Sequence, residues 1–439
     1  MEILIKTAQL FLSLSILVII HELGHFIFAK LFKTRVEKFY LFFNPWFSVF
    51  KFQYKETEYG VGWLPLGGYV KISGMIDESM DKEQMKQDPQ PWEFRSKPAW
   101  QRLLVMIGGV LFNFILAFMI YSMILYTWGE KYLPTQNMTY GIVTDTLARE
   151  IGLKDGDKII TIDQHEVVNF ADVMPELLLG DEHSLQIDRN GEKLNIVLTE
   201  KHIAGILKRD GFFIEPAYPF FIQDFAPGSA AKEAGIEVGD QIISLNGQYL
   251  PFFRNYTQTL KQYADEMIEL KVLRLGDTVT VRTQVSSAGM LGVMAKSPFD
   301  LMTLQTREFG FWESLPAGIV RGWKKMGDYI RQFKLLFNPE TEAYKSVGGF
   351  IAIGNIFPSF WDWQSFWSMT ALLSIMLGVV NILPIPALDG GHVLFLLYEI
   401  IANRKPSDKF LEYAQIVGMV LLLALLLFAN GNDIIKLFQ

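Results

Sequence analysis

Four runs of apolar residues punctuate this chain, at 8–32, 103–128, 366–388 and 414–429. Each comes near the roughly 20 residues that a helix needs to cross a bilayer, although the fourth is short, so the pattern predicts four transmembrane helices. The first run lies where a cleavable leader would. A polar cluster sits inside it, however, and no small-residue cleavage site follows, so it is expected to stay with the chain. Residues 311–336 show a different periodicity, with Trp312, Ile319, Trp323, Met326, Tyr329, Ile330 and Phe333 set against Arg321, Lys324, Lys325, Arg331 and Lys334 at helical spacing. This predicts an amphipathic helix, lying either in the outer membrane interface or against a folded domain.

The long stretch between the second and third runs contains an internal repeat. Ala148-Arg-Glu-Ile-Gly152-Leu-Lys-Asp-Gly156-Asp157-Lys-Ile159-Ile160 returns as Ala231-Lys-Glu-Ala-Gly235-Ile-Glu-Val-Gly239-Asp240-Gln-Ile242-Ile243, at a constant offset of 83 residues. A copy of roughly this length suits a small β-rich domain, with a short helix ending at Gly152 or Gly235 and a strand opening at Ile159 or Ile242. The expected division is therefore a membrane core over 1–128, β-rich domains over 129–216 and 217–300, an amphipathic linker over 301–362, and a second membrane core over 363–439.

Composition supports a membrane protein with water-soluble parts: 50% of residues are hydrophobic and 35 are Phe, yet 20% are charged. A net charge of −7 gives no reason to expect nucleic acid as a partner. With no cysteine, disulfides and thiolate metal ligands are excluded, and any metal must be held by His, Asp or Glu. Basic residues set the orientation. The loop after the first run carries Lys30, Lys33, Arg35 and Lys38, with Arg95, Lys97 and Arg102 before the second, whereas only Lys6 precedes the first, so this loop is expected to be cytoplasmic. The repeat region then lies outside the cytoplasm.

The chemistry is concentrated in His21-Glu22-Leu23-Gly24-His25, inside the first apolar run. On a helix His21 and His25 stand one turn apart on one face, so their imidazoles can meet one zinc ion, and Glu22 can reach the attacking water. The bland alternative is a polar patch satisfied by neighbouring helices. Clustering three ionisable residues in a membrane helix is costly, at about 2.5–3.5 kcal/mol for a charged residue at its centre, which favours function. The topology also says where a further ligand belongs. The first and third helices run in the same direction, so the site must be completed near the C-terminal end of the third, where Asn381-Ile-Leu-Pro384-Ile-Pro386-Ala-Leu-Asp389-Gly390-Gly391-His392 stands. Asp389 is at the required depth, and the prolines and glycines imply irregular backbone, tolerated at membrane depth where protein or a water cavity satisfies it. His392 is expected at the cytoplasmic edge, and His165, His183 and His202 at the surface of the first repeat.

H-E-L-G-H in the first helix, N-I-L-P-I-P-A-L-D-G-G-H in the third and the repeat between them resemble the bacterial site-2 protease family, in its regulator-of-sigma-E branch, over essentially the whole chain. The resemblance implies an α-helical polytopic inner-membrane protein with four transmembrane helices, two periplasmic PDZ-like domains and a membrane-associated β-hairpin over 60–71. It implies an intramembrane zinc metalloendopeptidase working in the cytoplasmic half of the membrane, with His21, His25 and Asp389 on Zn2+, Glu22 as catalytic base, and Asn381, Pro384, Gly67 and Gly68 handling substrate. By the same resemblance, the substrates are truncated single-pass membrane proteins of the anti-sigma-factor type, and remnant signal peptides, cleaved in regulated intramembrane proteolysis. PDZ-like domains bind extended peptides and their C-termini by strand addition; a steric filter against bulky substrates is the other reading. The usual G-P-x-x-N of the second helix is here Gly109-Val110-Leu-Phe-Asn113, without the proline. Two other classes compete: an inactive PDZ scaffold, which would have lost part of the His21, Glu22, His25, Asp389 set, and a zinc transporter, which needs neither Glu22 nor PDZ-like domains.

Overall fold

The computed structural model describes residues 1–65, 67–75, 88–208, 211–341 and 343–437. It separates into two compact units, one of Met1–Gly129, Glu308–Lys334 and Tyr344–Gln439, the other of Glu130–Arg307 and Leu335–Ala343.

In the first unit, α1 (Glu2–Leu31) and α2 (Ala99–Trp128) flank a sheet of β1 (Val36–Leu41), β2 (Phe43–Tyr54), β3 (Thr57–Leu64) and β4 (Tyr69–Ile72). The chain returns as α3 (Phe311–Phe337), α4 (Phe350–Asn355), α5 (Trp363–Ile382), α6 (Asp389–Ala402) and α7 (Asp408–Leu437). Among the described residues α1, α2, α5 and the Lys409–Ile435 part of α7 are long and apolar enough to cross a membrane.

Small residues let these helices approach. A side chain on Gly24 of α1 would overlap the Gly108 carbonyl of α2, and one on Gly108 would reach 2.6 Å from the Gly24 carbonyl oxygen. Such contact between backbones is how helices associate in lipid, where burial of apolar surface offers no drive. On the opposite side of α2, Ala117, Ile120, Tyr121 and Ile124 pack against Ala371, Ile375 and Val379 of α5. Polar residues add hydrogen bonds between helices: Thr370 Oγ1 donates to Ser13 Oγ at 3.0 Å, and Ser374 Oγ donates to the Asn113 carbonyl at 2.7 Å.

Two helix boundaries differ from expectation. The third span ends at Ile382, six residues before the apolar run does, because Pro384 and Pro386 cannot continue the hydrogen-bond ladder. Ala387 follows in a left-handed conformation at φ 78°, with its N–H donating to Gln415 Oε1 at 3.3 Å. The fourth helix is longer than its apolar run because its polar end has partners: Asp433 Oδ2 accepts the Ile351 and Ala352 N–H groups, and Asn430 Oδ1 accepts that of Phe350. These are the orphan donors of the first turn of α4.

The hairpin expected over 60–71 is part of a larger sheet of order β2-β3-β1-β4, with β1 parallel to β3 and antiparallel to β4. Among the described residues this leaves β4 as an edge strand. Tyr40 of β1 is fully buried and stacks on Tyr69 of β4 with ring centroids 5.4 Å apart. The amphipathic helix α3 packs on α2: a side chain on Gly318 would run into Ser122, one on Gly322 into the Phe118 ring, and Met326, Tyr329 and Phe333 join the cluster between α2 and α5. Trp312, Val320 and Trp323 stay exposed.

The second unit has two hydrophobic cores. One gathers Ile142, Leu153, Ile162, Leu177 and Ile187, the other Phe220, Ile242, Leu245, Leu270 and Val272. The repeated motif builds the same corner in each. Strands Lys158–Ile162 and Gln241–Leu245 start just after Gly156-Asp157 and Gly239-Asp240. Arg189 donates through Nε and Nη2 to both Asp157 oxygens at 2.8 Å, and through Nη2 to the Gly152 carbonyl. Arg274 does the same to Asp240, at 2.8 and 2.7 Å, and to the Gly235 carbonyl. A bidentate pair with one fully buried partner is costly to break.

Burial pushes the Asp240 carboxyl up, but the Arg274 guanidinium and the Glu237 N–H outweigh it and hold the group below the usual carboxylate range. A depressed folded-state pKa gives stability that is complete above the unfolded value, about 3.9, and is lost as pH falls through the folded value. The unit is expected to lose stability below about pH 4, and Asp240→Asn to lower the neutral-pH stability while flattening that acid limb. Hydrogen exchange over the Glu130–Arg307 segment against pH measures this, and an unchanged acid limb in the variant would contradict it.

Candidate metal centre

α1 brings His21 and His25 to one face, and the break after α5 delivers Asp389 at the first residue of α6. The three converge. His21 Nε2 lies 3.2 Å and His25 Nε2 3.4 Å from Asp389 Oδ2, and the two imidazole nitrogens are 3.3 Å apart. Among the described residues the two buried histidines and the half-buried Asp389 form a group whose ligand atoms all lie within 4.8 Å of one another. Asp389 Oδ2 is buried and, among the described residues, makes no hydrogen bond, despite the two nitrogens beside it. Three lone-pair atoms aimed at one point fit a cation better than they fit each other, and a His, His, Asp set is a zinc donor set that leaves a position open.

The far side of each imidazole is held by α2. The His25 Nδ1 atom is 2.9 Å from the Val105 carbonyl oxygen, which can only accept, so Nδ1 carries the proton and Nε2 keeps its lone pair for the centre. His21 Nδ1 lies 3.0 Å from the Asn113 amide. Gly109 makes room between them: a side chain there would come within 2.5 Å of His25 Nε2 and 2.6 Å of His21 Cε1.

A cavity of about 730 Å³ opens onto the three residues. Glu22 and Asn381 line it, as do Gly68 and every residue of β4, and Asn381 Nδ2 is 3.4 Å from His21 Nε2. His392 lines it too, where the edge of the membrane core was expected. Gly68 allows β4 to lie against α1, since a side chain there would approach Val18 Cγ1 to 2.6 Å and Glu22 Cγ to 3.4 Å. Two expected residues are not brought in. Pro384 is exposed and Gly67 is half-buried at φ 131°, and neither lines the cavity. Pro384 acts on the backbone by ending α5, and Gly67 by turning the chain into β4. His165, His183 and His202 join no metal-binding group among the described residues. Motif reading matched Gly109 and Asn113 of α2 to the family's G-P-x-x-N but did not place them, or Val105, behind the imidazoles. Besides that match, an Asn inside an apolar run is a signal of its own.

The model of peptidase family M50 matches residues 9–425 of this chain. A proposed zinc metalloprotease of Campylobacter jejuni is 30% identical, over 97% of this chain and 92% of its own length. The regulator of sigma E protease of Haemophilus influenzae is 29% identical over the full length of both, and that of Escherichia coli is 26% identical over 98% of each. With a centre suited to zinc set among membrane-spanning helices and a family match over nearly all of its length, this chain belongs to peptidase family M50 and is a membrane-integral zinc metalloprotease.

Proposed function

We propose that this chain cuts the transmembrane segments of single-pass membrane proteins that have already lost most of their external part. The observation that supports it most is the cavity in which the His21, His25, Asp389 group, Glu22 and an edge strand meet among helices long enough to span a bilayer. In this reading His21, His25 and Asp389 hold zinc. Bound there, zinc supplies Lewis acidity, polarising the scissile carbonyl and making water a competent nucleophile near neutral pH. Glu22 takes the proton from the attacking water and returns it to the leaving amine. A helical substrate has its carbonyls internally bonded and must unwind first. The free edge of β4 offers backbone groups to the unwound strand, and Asn381 a side-chain amide.

The exposed aromatic residues of β2, among them Trp46, Phe47, Phe50 and Phe52, suit contact with lipid at the cytoplasmic face of the inner membrane. The two repeat domains, PDZ-like in their Gly-Asp corners, lie in the periplasm and serve as a size filter. Anti-sigma factors and remnant signal peptides are substrates of the required form. Reconstituted single-pass substrates of graded external size test this reading: cleavage rises as the external part is trimmed. Equal cleavage of untrimmed and trimmed substrates would remove the filter, and faster cleavage only with a matching free C-terminus would favour groove recognition.

A further inference from the structure

α2 supplies none of the three converging ligand atoms, yet it contacts both imidazoles. For His25 the partner is a carbonyl, which fixes the tautomer by itself. For His21 it is the Asn113 amide, whose oxygen and nitrogen are told apart only by their hydrogen bonds. With the nitrogen toward His21, Nδ1 must accept, and the ring proton is driven onto Nε2, into the centre. With the oxygen toward His21, Nδ1 donates and the Nε2 lone pair joins those of His25 and Asp389.

The convergence at the centre decides between these orientations: His21 Nε2 lies 3.2 Å from Asp389 Oδ2 and 3.3 Å from His25 Nε2, and it can serve a metal there only with its lone pair free. Asn113 is fully buried, and with its nitrogen toward His21 its Oδ1 has no hydrogen-bond partner. Among the described residues that position offers the amide no partner in either orientation, so it can turn its oxygen to the imidazole without losing a bond. The residue is also fixed in place, since Ser374 Oγ of α5 donates to its carbonyl at 2.7 Å and Gly109, one turn earlier, leaves the space in which the amide and both rings meet. We propose that Asn113 is a positioning residue: its Oδ1 accepts from His21 Nδ1–H and thereby keeps the Nε2 lone pair of His21 available to the metal.

This rests on the reading of His21 as a zinc ligand, so the test separates the two. Zinc affinity is measured by competition with a chelator on the full-length protein in detergent micelles, for the wild type and for His21→Ala, Asn113→Leu and Asn113→Asp. If His21→Ala binds zinc as tightly as the wild type, the ligand reading fails. Given that His21→Ala weakens binding, Asn113→Leu is expected to lower affinity roughly 10- to 100-fold, the usual effect of removing an outer-shell partner. Asn113→Asp, which keeps an acceptor oxygen at the same place, is expected to stay within a few-fold of the wild type. Equal losses in both Asn113 variants, or no loss in Asn113→Leu, would overturn the proposal. A second measurement needs no Asn113 variant. In metal-free wild type labelled with 15N-histidine, the His21 signal, assigned by its disappearance in His21→Ala, is expected to show a protonated Nδ1 and a bare Nε2; the opposite tautomer would overturn the proposal.

Discussion

Glu22→Gln is expected to bind zinc as the wild type does and to cleave a membrane-spanning substrate roughly 10²- to 10⁴-fold more slowly, the range lost with a general acid–base group. Gln has nearly the shape of Glu, so the packing of the half-buried side chain beside Gly68 and the three ligand positions are left alone. What disappears is the ability to take a proton from water and return it to the amine. The measurement is cleavage in proteoliposomes alongside the zinc content of the same preparation. Substantial cleavage by the variant would mean that another group lining the cavity, such as His392, is the base, and loss of zinc would mean that Glu22 holds the centre together.

Gly109→Ala is expected to damage the same enzyme by another route. One methyl group at this position comes within 2.6 Å of both imidazoles, closer than a non-bonded methyl carbon tolerates, and moving α1 away to relieve it would pull apart the neighbouring contact of Gly24 with Gly108. Overpacking of this kind costs about 1–3 kcal/mol, and here the strain falls on the two histidines proposed to hold the metal. The expected result is an enzyme that retains little zinc and little activity and melts at a lower temperature. Gly327→Ala is the control, since a side chain at this half-buried position meets nothing within 4 Å among the described residues and Ala in place of a helical Gly is stabilising by about 0.5–1 kcal/mol. Wild-type zinc content in Gly109→Ala would mean that the helices repack more easily than these distances allow.

Much of this architecture could be read along the chain, and the gaps have physical reasons. The four spans follow from apolar runs because lipid demands them, and His21, His25 and Asp389 were legible because ionisable residues at membrane depth are expensive. The repeat was legible through its Gly-Asp corners, but not the arginines that lock them: Arg189 and Arg274 are 85 residues apart, two more than the motif offset, and an Arg in a polar strand carries no signal of its own. The β2-β3-β1-β4 sheet was reduced to a hairpin because parallel pairing of β1 with β3 is a non-local contact and β2 is aromatic on both faces. The amphipathic α3 was evident from its spacing, whereas its partner α2 depends on Gly318 and Gly322, which look like ordinary helix residues until a neighbour is placed against them. The G-P-x-x-N match marked Gly109 and Asn113 of α2, but not that they stand behind His21 and His25, since a backbone carbonyl at Val105 and an absent side chain at Gly109 show their contacts only once α1 is placed against them.

The central claim is proteolysis by zinc within the membrane, and mapping the scissile bond tests it most directly. A single-pass substrate with a trimmed external part is incubated with the enzyme in proteoliposomes, before and after chelation and after zinc is restored, and the products are identified by mass spectrometry. The account predicts a cut inside the apolar span, abolished by the chelator and recovered with zinc. A cut confined to the water-exposed flanks, or one that persists after all zinc has been removed, would contradict it.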